Sequence, residues 1–162
     1  MALLAEELVE EWLNRDGFFT IRGLKKGHDE IDLLAVKSQP NSRPKAWHVE
    51  VQASIDPAGF FGGLKFENTS IEKWLGKKFK AKEKAEMREH IWPELAWEYV
   101  LVYAVLKREQ EQIDIVKKYG VIPISLKKII RDLLPDKKSA YKASSGDFAE
   151  LVGYSLTCSK GA

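Results

Sequence analysis

Two acidic residues stand where a folded chain rarely tolerates them. Asp32 interrupts the apolar run from Ile31 to Val36, and Glu50 sits in the middle of Trp47-His48-Val49-Glu50-Val51-Gln52-Ala53. A lone carboxylate buried in a sheet costs several kcal/mol unless it meets a positive charge or a bound cation. If the two segments are neighbouring strands in register, both carboxylates converge on one point at the end of the sheet. Gln52, two residues past Glu50, projects from the same strand face. A second pattern lies downstream: Lys73, Lys77, Lys80, Lys84 and Arg88 recur at helical spacing, which sets five cations on one stripe. A cationic stripe beside a carboxylate site suits the tracking of a phosphate backbone.

The elements that must position these residues follow from periodicity. Leu4, Ala5, Leu8, Val9, Trp12 and Leu13 form one apolar helical stripe, ended by Asp16-Gly17. Phe18 to Arg22 reads as a strand, 25–28 as a turn, and Glu30 to Val36 as a second strand. The segment 38–45 is loop chemistry with two prolines. From Trp47 to Ala53 apolar and polar residues alternate, with Trp47, Val49 and Val51 on one face and His48, Glu50 and Gln52 on the other. Residues 56–63, with Phe60 and Phe61 among glycines, read as a mobile loop. Thr69 and Glu72 make a capping-box pattern opening one long helix to about His90, with Ile71, Trp74, Leu75 and Phe79 on its docking face. Residues 99–106 form a continuous apolar run, as in a central strand. A helix over 110–119, a strand over 121–125 and a helix over 126–134 complete the order. An antiparallel meander joined to a parallel strand–helix–strand unit predicts an α/β protein, a mixed sheet flanked by helices. The core is expected over 1–134. Residues 135–162 form a polar extension that allows a short helix over 147–152.

Composition narrows the function classes. The 162 residues are 44% hydrophobic and 31% charged, which excludes wholesale disorder. Net charge is only +2, so nucleic-acid binding depends on where the charges lie. The single cysteine, Cys158, and three histidines, His28, His48 and His90, exclude a disulfide framework and a Cys/His zinc module. A metal site must therefore be built of oxygen ligands. No stretch reaches the length of a membrane span, and the acid-rich first dozen residues do not read as a signal peptide, so a cytoplasmic setting is expected.

The ordered motifs resemble the PD-(D/E)xK nuclease superfamily, and within it the Holliday-junction-resolvase-like, restriction-endonuclease-like branch. Members read as an acid on the first helix, a leucine seven residues on, a glycine–aromatic pair, then E-I-D-L-(I/L)-A and V-E-V-K. Glu6, Leu13, Gly17-Phe18, Glu30 to Ala35 and Val49 to Gln52 supply that order, and 119–124 is similar to the group's final helix–strand turn. The resemblance implies a helix, three-stranded meander, helix, strand core and hydrolysis of DNA phosphodiester bonds. It implies that Asp32, Glu50 and the backbone carbonyl of Val51 bind Mg²⁺, with Mn²⁺ able to substitute, and that Glu6 assists through a water or a second ion. Such an ion lowers the pKa of its bound water and clamps the phosphodiester for in-line attack. Resolvase-like relatives pair, so a homodimer is compatible with it; no nucleotide cofactor is implied.

One position departs from the pattern. Gln52 stands where the family has lysine, and a neutral amide positions water or phosphate without supplying charge. A second divalent ion compensates, a lysine reaches in from elsewhere, or the site is impaired. Lys73 and Lys77, early on the long helix, are the candidates to supply that charge, and Arg22, Lys25 and Lys26 could extend the cationic surface. Two other functions fit the same residues: a DNA-binding or assembly subunit that kept the fold and lost catalysis, and a protein-interaction module whose acids serve folding alone. In that last case Asp32 pairs with Arg22 or a lysine, and the lysine stripe is a solvated helix face.

Overall fold

The computed structural model describes residues 2–53, 68–106 and 108–134. The sequence expectations for Phe60, Phe61, Cys158 and the helix over 147–152 lie outside the described residues. The element order is α1 (Ala2–Arg15), β1 (Phe19–Lys26), β2 (Asp29–Lys37), β3 (Lys45–Gln52), α2 (Asn68–Lys80), α3 (Lys82–Ile91), β4 (Trp97–Tyr103), α4 (Glu109–Lys118), β5 (Val121–Ser125) and α5 (Leu126–Leu133).

The five strands form one sheet in chain order, β1-β2-β3-β4-β5. β1, β2 and β3 pair antiparallel, while β3–β4 and β4–β5 are parallel. The α/β mixed sheet predicted from the sequence is therefore present, with both parallel links carried by helices. One sheet face buries Leu33, Ala35, Val49, Val100 and Val102 against Leu8, Val9 and Leu13 of α1 and Ile129 and Leu133 of α5. The other face packs Leu101 and Tyr103 against Ile71, Leu75 and Phe79 of α2 and Val116 of α4. Met87 of α3 covers Ile31 and Leu34 of β2. No described helix is long and apolar enough to cross a membrane.

The end of α1 is set by local chemistry. Gly17 adopts a φ of 83°, and Gly17 N–H donates to the Asn14 carbonyl while Phe18 N–H donates to that of Leu13. This pair of bonds is a Schellman closure, which needs the left-handed residue that glycine supplies at least cost. The turn delivers Phe18 onto Trp47, ring centroids 4.9 Å apart, so α1 is locked against β3.

One expectation is corrected. The long helix is two helices, because Ala81 leaves helical space with φ −56° and ψ 140°. α2 packs on β3 and α4, whereas α3 turns away to reach β2 and β1. The guanidinium of Arg88 donates to the Phe79 carbonyl at 3.0 Å, closing an acceptor that the broken helix leaves open.

Candidate functional site

The β2–β3 ladder ends at the pair Leu33–Val49. Continued by one residue, the register sets Asp32 opposite Glu50, just where backbone pairing stops. The Val51 N–H, beyond the last paired residue, instead donates to Asp32 Oδ2 at 2.7 Å. One oxygen of Asp32 is thereby fixed to β3.

Asp32 is half-buried, and its carboxyl is pushed up to about 6 from an ordinary 3.8. Desolvation is the main cause, and the negative charge of Glu50 adds to it; the Val51 N–H and the charge of Lys78 offset only part. Arg22, the partner a purely structural Asp32 could take, instead pairs with Glu7 at 3.2 Å and Glu10 at 3.5 Å on α1. Glu6 is half-buried and feels the charges of both Glu30 and Glu50; burial first, then Glu30, raises its pKa.

Glu50 is buried at 1% exposure, yet three side chains meet its carboxylate. Burial pushes its pKa up, but the His48 ring and the ammonium groups of Lys78 and Lys84 outweigh that and hold it below the usual carboxylate range. Lys84 Nζ lies 2.6 Å from Oε1 and Lys78 Nζ 3.1 Å from Oε2. His48 Nε2 is 2.8 Å from Oε1, and its Nδ1 is 2.8 Å from Arg88 Nη1. A guanidinium can only donate, so Nδ1 is the accepting nitrogen and the single ring proton sits on Nε2, donating to Glu50. Burial drives the His48 pKa down to about 4, which keeps this tautomer neutral at physiological pH.

Gln52 leaves the strand without a cation, and the ammonium groups that reach Glu50 come from α2 and α3, Lys78 and Lys84. Lys73 and Lys77 are exposed instead. The expected cationic stripe also changes. Lys73, Lys77 and Lys80 do face solvent on α2, but Lys84 and Arg88 are buried at 4% and 6% exposure. The break at Ala81 is the reason: it re-aims α3, so Lys84, Met87 and Arg88 form its inward face. Gln52 is half-buried at the end of β3, beside Tyr103 in the parallel register.

Lys78 was legible as a core-facing lysine, seven residues after Ile71 and four after Trp74, on the face that docks. Lys84 and Arg88 had a weaker signal: they share spacing with Met87 and Ile91, the large apolar residues of that segment.

Among the described residues, no three His, Cys, Asp or Glu side chains gather closely enough to hold a metal ion between them. The oxygen donors on offer are Asp32, Glu50 and the Val51 carbonyl. That set fits Mg²⁺, which takes one or two carboxylates and keeps waters for the rest of its shell. No protein-family model matches this sequence, and no curated protein matches it.

Proposed function

We propose that this chain is a Mg²⁺-dependent nuclease of the PD-(D/E)xK kind, with a restriction-endonuclease-like core, that hydrolyses DNA phosphodiester bonds. One observation carries the reading. The β2–β3 ladder stops just before Asp32 and Glu50, and Lys78 donates to Glu50 while its charge also acts on Asp32. Two acids and a lysine at a strand end are the groups phosphodiester hydrolysis uses.

Asp32, Glu50 and the Val51 carbonyl are the residues that would hold Mg²⁺ or Mn²⁺, with Glu6 assisting from α1. The bound ion would supply Lewis-acid charge and a water of lowered pKa. The chain's own residues do the rest. The Val51 N–H fixes Asp32, and Lys84 and His48 fix Glu50. Lys78 takes the part that the motif lysine has in the family, a cation for the phosphate's developing charge. Gln52 orients water or a phosphate oxygen. Lys73, Lys77 and Lys80 offer a reduced contact surface to the DNA backbone.

The test is cleavage of supercoiled, linear and branched DNA with and without Mg²⁺. Cutting that needs the ion and disappears in Asp32→Asn, with the fold intact, supports the reading. Absence of cutting together with absence of divalent-ion binding overturns it. The second reading, a catalytically impaired DNA-binding or assembly subunit, draws on the engagement of both Glu50 oxygens by protein donors. It expects salt-sensitive DNA affinity that survives Asp32→Asn, without metal dependence.

A further inference from the structure

The two carboxylate oxygens of Glu50 sit in different surroundings. Oε1 accepts from His48 Nε2 at 2.8 Å and Lys84 Nζ at 2.6 Å, both donors sealed from water. Behind them, Arg88 holds His48 Nδ1, and is itself held by the Phe79 carbonyl and stacked 5.5 Å from the Tyr99 ring centroid. Taking any of these donors from Oε1 strands a buried charge or an unpaired N–H. Oε2 accepts from Lys78 at the longer distance of 3.1 Å, and that side chain keeps 32% of its surface in water. Lys78 can leave without stranding its own ammonium, because its flexible stem reaches solvent from where it stands; the buried Oε2 it vacates then calls for another cation.

We infer that Glu50 is a divided ligand: Oε1 belongs to the buried Arg88–His48–Lys84 network, and Oε2 is the one oxygen it can give to a metal ion, with Lys78 as the displaceable occupant of that place. The inference rests on the proposed reading of Asp32 and Glu50 as metal ligands. It adds a coupling between the metal and the lysine. Without the ion, the Lys78 ammonium neutralises Glu50. For a divalent ion to be held there, Lys78 must give up Oε2, since two cations cannot share it without strong repulsion. Its Nζ, still tethered to α2 beside the site, is then free to meet a phosphate oxygen. Arg88 and His48 act through Glu50 and are positioning residues.

The experiment is Mn²⁺ titration of the full chain, with free ion followed by electron paramagnetic resonance, on wild type and Lys78→Met. Removal of the competing ammonium should tighten Mn²⁺ binding by about tenfold or more. In ¹⁵N-labelled wild type, saturating Mg²⁺ should move the Lys78 Nζ resonance and leave those of Lys84 Nζ and His48 Nε2–H in place. Mn²⁺ binding to wild type that is unchanged or weaker in Lys78→Met overturns the inference and leaves the metal reading standing, as does Mg²⁺ that shifts the Lys84 and His48 signals instead. Absence of saturable binding in both proteins overturns the inference and the metal reading together.

Discussion

Lys84 Nζ lies 2.6 Å from Glu50 Oε1, with side-chain exposures of 5% and 1%. The pair joins α3 to the centre of the sheet, and neither charge has water to fall back on. Breaking such a pair from one side leaves the other charge buried alone, which typically costs about 3–5 kcal/mol. Glu50→Gln should therefore lower unfolding free energy by about that much in urea melts at pH 7.5. Adding Lys84→Met should return part of the loss, giving a coupling of at least about 1 kcal/mol in a double-mutant cycle. A Glu50→Gln protein as stable as wild type would show that this ion pair is not formed in solution.

Asp32 should behave in the opposite sense. Its folded pKa, about 6 against an ordinary 3.8, means the folded state favours the protonated acid. That contribution is present below the ordinary pKa and is lost as pH rises through the folded one. Asp32→Asn, which can still accept from the Val51 N–H, should gain about 1–3 kcal/mol over wild type at pH 7.5. The gain should shrink toward zero near pH 4. His48 runs the other way: its pKa falls from 6.5 to about 4, so its contribution is present above the ordinary value and is lost as pH falls through the folded one. The two slopes partly cancel in wild type between roughly pH 4 and 6. In Asp32→Asn the cancellation is gone, and stability measured in EDTA should climb more steeply with pH over that window.

The sheet was readable because its strands obey simple patterns. β3 alternates cleanly with Glu50 on its polar face, β4 is apolar throughout its buried half, and Asp32 flags a site by interrupting the apolar run of β2. The break at Ala81 was not readable. No proline or glycine marks it, and Gly76, the weak position in the segment, stays inside α2. What bends the chain there is tertiary: α2 is claimed by β3 and α4, α3 by β1 and β2. A continuous helix keeps Lys84 in phase with Lys77 and Lys80, and so on the surface. Once the axis turns, Lys84 and Arg88 face inward to the acid that a pattern of strands alone left without a partner. Lys78, within α2, needed only the helical phase of Ile71 and Trp74 to be found.

Gln52 and Lys78 should trade roles. If Lys78 supplies the charge that lysine supplies at the Gln52 position in the family, Gln52→Lys alone should change metal-dependent cleavage little. Lys78→Ala should slow it by about a hundredfold or more, the cost of one donor to developing charge. The double variant Lys78→Ala/Gln52→Lys should recover a measurable part. A large gain from Gln52→Lys in the wild-type background would show that Lys78 does not fill that role.

Surface cations should divide along the helix break. Lys73→Glu, Lys77→Glu and Lys80→Glu should each weaken DNA binding across sequences and flatten its salt dependence by about one unit of slope for every phosphate left without its lysine. Lys84→Glu and Arg88→Glu should instead lower melting temperature, since both residues are inside. Measuring affinity by fluorescence anisotropy and stability by thermal melts on the same five proteins separates the two groups. Loss of DNA affinity confined to the two buried positions, with folding intact, would reverse the assignment.

The most direct measurement is an anomalous-difference map from crystals of the full chain soaked in Mn²⁺. The predicted result is one peak at ligand distance, about 2.0–2.3 Å, from Asp32 and from Glu50 Oε2, with Lys78 moved off that oxygen. The contradicting result is a fully ordered Lys78 still seated on Glu50 Oε2 and no anomalous peak beside either carboxylate.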